Sequence, residues 1–299
     1  MDFASYGPYI LEETAALLAI DSPSGMTQQA AQHVIARCES LGFAAKRTRK
    51  DGVLVDLGGR DRDNAILLEA HMDTLGGMVC EIKSSGRLRI TNIGGLNANN
   101  VETENCRIIT KGGAVYEGTA QLCNASIHVN GDYKDEKRTF DSIEIVIDEP
   151  VKSAEDVKKL GVRAGDYVCF DPRTRITKSG YIKSRFLDDK LSVGVVMAYA
   201  KYLKDAGITP ERAVYVHVTS FEEVGHGGST NVPEGVTEAI SVDMGCVGVS
   251  LECDEHMVSI CAKDSGGPYH YDVVRALIAA AEETGAAYAV DVYPHYGSD

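Results

Sequence analysis

The chain has 299 residues, with 30 Lys and Arg against 44 Asp and Glu and a formal net charge of −14. That length suits one large domain or two, with enough apolar content for a buried core. The acidic balance argues against nucleic acid as a partner, and the short apolar runs argue against a membrane span, which needs roughly 20 such residues.

The first twenty residues, "MDFASYGPYILEETAALLAI", carry Asp2, Glu12 and Glu13 where a secretion signal would carry a basic segment. The eight cysteines (38, 80, 106, 123, 169, 246, 253, 261) form no CxxC pair, and reduced thiols in a cytoplasmic protein are the expectation. An apolar helix is expected near 8 to 19. The "DSPSG" loop follows, and "MTQQAAQHVIARCESLG" places Ala30, Val34, Ile35, Cys38 and Leu41 at helical spacing, with Gly42 as its stop. Strands are expected in "GVLVDLG" and "NAILLEA". From about 76 to 176 the texture changes to short alternating strands and glycine turns, as in "RLRITNIGG", "CRIITKGG" and "SIEIVID", with one short helix opened by a Ser153-x-x-Asp156 box. From about 177 the α/β texture returns, with a helix after Leu187, strands in "RAVYVHV" and "EAISVDMG", and an amphipathic helix in "YDVVRALIAAAEE". The β-rich module therefore reads as an insertion, 76–176, into one α/β domain formed by 1–75 and 177–299.

Polar groups collect at the ends of the apolar runs. "ILLEAHMDTLGG" ends in His71-x-Asp73, a spacing that puts both side chains on one face at the C-terminal end of a strand, where open α/β sheets carry their sites. Asp188 and Asp189 stand before a helix, where simple N-capping is the plain alternative. Asp243 ends another apolar run. Glu222 and Glu223 stand side by side where "RAVYVHV" runs out; successive side chains of a strand point to opposite faces, so the two serve one site only if the backbone turns there. Carboxylates gathered in one crevice repel, and a cation resolves the repulsion. Histidine nitrogen with carboxylate oxygen is the ligand set of Zn(II) and its first-row neighbours.

The order of these motifs resembles the M42 family of glutamyl aminopeptidase and TET-type metallopeptidases. The resemblance is carried by "PSG", "AHMDTLGGMV", "IGG", "TKGG", "LDDK" where the family favours "LDDR" or "LDNR", "FEEVGHGG" and "SVDMG", and spans essentially the whole chain. It implies a zinc-peptidase-like α/β/α sandwich with an inserted, barrel-like β-rich dimerisation domain. It also implies two divalent metal ions, zinc with cobalt or manganese as alternatives. By the resemblance His71 and Asp243 would hold one ion, Asp188 would bridge, and Glu223 would hold the second. Glu222 would be the general base, Asp73 would orient the His71 imidazole, and a cis peptide would follow Asp188. The implied activity is release of N-terminal residues from short peptides by a dimer-based homo-oligomer, with a dodecamer among the expected sizes.

The family's second histidine lies beyond a "GTDA"-like stretch that "YGSD" at 296–299 matches, and His295 precedes that stretch. The resemblance thus implies a weak second metal site and leaves the activity of these 299 residues open. Two other readings stand beside it: a related zinc hydrolase of deacylase or carboxypeptidase type, and a non-catalytic homologue with a binding or scaffold role.

Overall fold

The computed structural model describes residues 3–299. A 3-10 turn over Phe3–Tyr6 leads into α1 (Gly7–Leu18), with a proline in its first turn where no N–H is needed. After the Asp21–Gly25 loop, α2 (Gln28–Ser40) buries Ala30, Ala31, Val34 and Cys38 on one stripe. Then follow β1 (Ala44–Arg47), β2 (Val53–Asp56) and β3 (Asp61–His71).

The β-rich stretch supplies β4 (Gly76–Ile82), β5 (Leu88–Ile93), β6 (Asn105–Ile109), β7 (Val115–Leu122), β8 (Ile143–Ile147) and β9 (Tyr167–Phe170), with α3 (Ala154–Lys159) before the last. The Ser153 side chain caps α3 by accepting from the Asp156 N–H at 3.2 Å. A two-stranded hairpin, β10 (Arg175–Ile176) and β11 (Ile182–Lys183), precedes α4 (Leu187–Ala206). The chain continues through β12 (Arg212–Thr219), β13 (Val236–Ser241), β14 (Val258–Lys263), α5 (Tyr271–Thr284) and β15 (Tyr288–Val292).

These elements make an α/β fold joined to a closed barrel. The main sheet has the order β1-β2-β12-β3-β13. Its parallel pairs, β12 with β3 and β13 with β3, set the C-terminal ends of three strands side by side. α1, α2 and α4 cover one face through Leu17, Ala31, Val34, Val196 and Met197, which pack on Val53, Val55, Ala70, Val214 and Val216. The alternation of β3 and β12 places Glu69 and His217 on the opposite face, where they pair at 2.9 Å. β14 and β15 form a separate parallel pair against which α5 packs.

The barrel closes in the order β4-β5-β8-β7-β6-β9. Closure removes free sheet edges, and the inward side chains Val79, Leu88, Ile90, Ile108, Leu122, Ile143, Ile145 and Val168 fill the interior. At its junction with the α/β part, Arg107 of β6 donates through two nitrogens to Asp21, both at 2.7 Å, and a third contact reaches Asp171. Among the described residues, no helix is long and apolar enough to cross a membrane.

Candidate active site

His71, Asp73, Glu222, Glu223 and Asp243 stand at or just past the C-terminal ends of β3, β12 and β13, and Asp188 and Asp189 open α4, whereas His295 follows β15, outside the main sheet. His71 is the last residue of β3, 2% exposed, and Asp73 follows it fully buried. Nδ1 of His71 lies 3.0 Å from the Asp73 carbonyl oxygen and 3.5 Å from its carboxylate. That carboxylate is itself fixed, because it accepts from the Ser24 hydroxyl and from the Glu222 backbone N–H at 3.2 Å. Gly25, at φ +87°, makes the turn that presents Ser24. The "PSG" motif thus buttresses Asp73, a role that its sequence did not reveal.

Asp188 and Asp189 open α4, and the peptide bond between them is cis. Asp188 Oδ1 lies 3.0 Å from His71 Nε2. Asp189, fully buried, points inward: one oxygen accepts from the His71 backbone N–H at 3.0 Å and the other finds no hydrogen-bond partner of good geometry among the described residues. Lys190, also buried, donates from Nζ to the Leu17 and Ile20 carbonyls at 3.0 and 2.7 Å, and so ties the start of α4 to the end of α1.

The tandem glutamates do sit on a turn. After β12 the chain passes through Phe221 in the left-handed region, φ 70°, and enters a 3-10 turn over Glu222–Val224. A left-handed conformation is costly for a bulky residue and persists where the surroundings impose it. The turn removes the alternation of a strand. Glu222 Oε2 lies 3.4 Å from His71 Nε2. Glu223 stands close enough to Asp188 and Asp73 to be perturbed by both. Gly94 of the "IGG" stretch, at φ +67°, passes against Glu223, where an added Cβ would lie 3.0 Å from the Glu223 carbonyl oxygen. Asp243, two residues past β13, accepts from the Met244 N–H at 2.6 Å and from Ser298 Oγ at 2.5 Å. Lys50 holds the loop that follows the Glu222–Val224 turn by donating to the Gly227 carbonyl at 3.1 Å and Ser229 Oγ at 3.2 Å.

The carboxylates of the site are crowded together and partly buried. Burial, then the neighbouring Asp243, Asp299 and Asp188, lift the Glu222 carboxyl to about 7. Burial and the Asp188 carboxylate lift Glu223 to about 8. Asp189 and Asp243 are pushed up too, first by burial and then by nearby carboxylates. Burial works against a charged His71, yet Asp188, Asp73 and Asp189 carry its pKa well above the ordinary value. Its Nε2 faces oxygen acceptors, an arrangement that calls for a proton or a cation between the groups. One nitrogen of His71 and one oxygen each of Asp189 and Asp243 lie within 4.8 Å of one another. Together with the unpartnered Asp189 oxygen, this donor set fits a divalent ion of the zinc type. Asp189 was not a sequence candidate as a ligand, since capping accounted for it.

The chain is similar to a known family and to solved structures. The model of the M42 glutamyl aminopeptidase family matches residues 51–299. YhfE of Bacillus subtilis (strain 168), provisionally named an aminopeptidase, is 41% identical over 283 residues, covering 95% of this chain and 82% of that protein. Among solved structures, a TET aminopeptidase from a marine-sediment Thaumarchaeota archaeon superposes with a TM-score of 0.85 at 20% identity, covering 97% of this chain and 82% of that one. The TET1 peptidase of Pyrococcus horikoshii, described as assembling into a tetrahedron or a large octahedral shell, superposes with a TM-score of 0.81 at 22% identity, covering 97% and 86%.

Proposed function

The chain belongs to the M42 glutamyl aminopeptidase family, metal-dependent hydrolases, and we propose that it releases N-terminal residues from short peptides with a pair of divalent ions. The observation that carries the reading is the turn at Glu222–Val224, which brings two adjacent carboxylates to the same crevice as His71 and Asp188. In this reading His71 and Asp243 would hold one ion, Asp188 would be shared, and Glu223 would hold the other. Zinc suits the donors best, with cobalt or manganese as substitutes. Bound there, such ions would polarise the scissile carbonyl and acidify the attacking water.

The residues of the chain do the rest. The Asp73 carbonyl and carboxylate fix the His71 ring, so that Nε2 is the nitrogen turned to the carboxylates. Glu222 has its backbone held by Asp73 and, among the described residues, its carboxylate pairs with no cationic side chain other than His71, so it takes the proton from water and passes it to the leaving amine. The part formed by 1–75 and 177–299 carries the chemistry, and the 76–176 module makes subunit contacts.

A panel of peptides with free and acetylated N-termini tests this, with products identified by mass and metal content measured on the same preparation. Release of N-terminal residues from free amines alone, lost on chelation and restored by zinc, is the expected result. Cleavage of the acetylated set, or release from the C-terminus, would assign a deacylase or carboxypeptidase instead. Full metal content without turnover of any member would favour a scaffold role.

A further inference from the structure

The hairpin of β10 and β11 stands out against the charge of the chain. Residues 173–185 contain Arg173, Arg175, Lys178, Lys183 and Arg185 and no acidic residue, in a chain of net charge −14. Two of these cations are occupied: Arg173 and Arg185 pair with Glu104 at 3.1 and 3.8 Å. Among the described residues the side chains of Arg175, Lys178 and Lys183 make no ion pair or hydrogen bond. Yet Arg175 and Lys183 are direct cross-strand partners. Opposed residues of an antiparallel pair share a face with Cβ atoms about 5 Å apart, and like charges there are destabilising. The hairpin therefore holds two cations side by side with nothing to neutralise them.

Its position gives the pair a purpose. The root is fixed by the Arg185 N–H donating to the Pro172 carbonyl at 2.8 Å and by Ser184 Oγ to the same oxygen at 3.0 Å. Three residues after Arg185 comes Asp188. Tyr181 shares the face of Arg175 and Lys183, since alternate residues of a strand do, and its hydroxyl meets His256 Nε2 at 3.0 Å. His256 belongs to the segment that follows Asp243. The hairpin is thus tied at its root to the stretch that leads into Asp188 and, through Tyr181, to the connection between β13 and β14 that follows Asp243.

We infer that Arg175 and Lys183 bind the C-terminal carboxylate of a short peptide whose N-terminus lies at the active site. The inference rests on the aminopeptidase reading above and names its substrate class. Lys183 and Asp188 are five positions apart, a span of at most about 18 Å. An extended peptide of about three to six residues covers the same distance. Two charge-assisted contacts to one carboxylate favour the free acid over the amide by about tenfold or more.

The test is steady-state kinetics on the zinc-loaded protein, using peptides of two to six residues with one N-terminal residue, each as free acid and as C-terminal amide. The expected result is a KM for the free acid about tenfold lower at one or more lengths from three to six, with kcat within twofold. In Arg175→Gln/Lys183→Gln that difference disappears, while turnover of an aminoacyl anilide, which has no carboxylate to bind, is unchanged. Equal KM values for acid and amide at every length, or a difference that survives the double substitution, would overturn the inference and leave N-terminal release standing. An amidated peptide with an internal Glu that regains the low KM would reassign the pair to acidic side chains. A double variant altered in mass by light scattering but not in KM would make the hairpin a contact between copies. Failure of N-terminal release in the unsubstituted protein would instead sink the underlying reading.

Discussion

At the scale of single residues, the division of labour between Glu222 and Glu223 makes the sharpest prediction. Glu222→Gln keeps the shape and the backbone contact with Asp73, so metal content by atomic absorption should match the parent while kcat falls a hundredfold or more, as for loss of a general base. Loss of metal would exchange the two roles. Asp73→Asn bears on the His71 ring: its carbonyl contact at 3.0 Å remains, but the carboxylate at 3.5 Å is lost. Zinc affinity measured by competition with a chelator should drop about 10- to 100-fold, the usual cost of losing such a partner. His71, Asp73, Glu222, Glu223 and Asp243 were readable as candidates because each ends an apolar run. The inward turn of the Asp189 carboxylate and the Ser24 buttress were not readable. They join residues 118 and 49 positions apart, and no local pattern records such a contact.

At the scale of elements, regular periodicity decided what could be read. α1, α2, α4, α5 and the strands β2, β3, β12 and β13 announce themselves by apolar spacing, and the Ser153 box announces α3. The hairpin β10–β11 escaped because two-residue strands carry no period, and β14 and β15 because their mixed faces do not alternate cleanly. In the barrel, the alternating β8 carries a buried acid, Glu144, among Ile143, Ile145 and Ile147. It survives there because Lys83 donates to it at 2.8 Å and Arg87 also binds it. Burial would raise its pKa, but the two cations outweigh burial and hold it below the ordinary 4.5. A carboxylate with a lowered folded pKa adds stability above its unfolded value, and that stability is lost as pH falls through the folded value. Glu144→Gln should therefore lower unfolding free energy at pH 7 by about 1 to 3 kcal/mol in urea titrations. The gap between the two proteins should close on acidification from 4.5 downward; a gap constant with pH would assign the loss to packing.

At the scale of the whole molecule, the barrel is the natural place for copies to meet. Its interior is filled, so apolar groups that remain outside it serve no barrel core: Val115 is 54% exposed, Ile127 51% and Val129 77%. The last two lie on the β7–β8 connection, anchored at its base by Arg138 donating to Glu102 at 2.7 Å. Exposed apolar groups on an ordered protrusion mark contact sites. Copies of net charge −14 repel at long range, so association needs a locally apolar contact and should strengthen as salt shortens the Debye length, about 10 Å at 0.1 M. We expect a homo-oligomer built from dimers that touch through 76–176, with closed symmetry restricting access to short, unfolded peptides. Light scattering at micromolar concentration should give a mass at least twice 32.1 kDa that does not fall with added salt. Ile127→Asp/Val129→Asp should reduce it toward the monomer while turnover of an aminoacyl anilide persists. A monomer in the parent protein, or an assembly indifferent to the double substitution, would move the contact out of this connection.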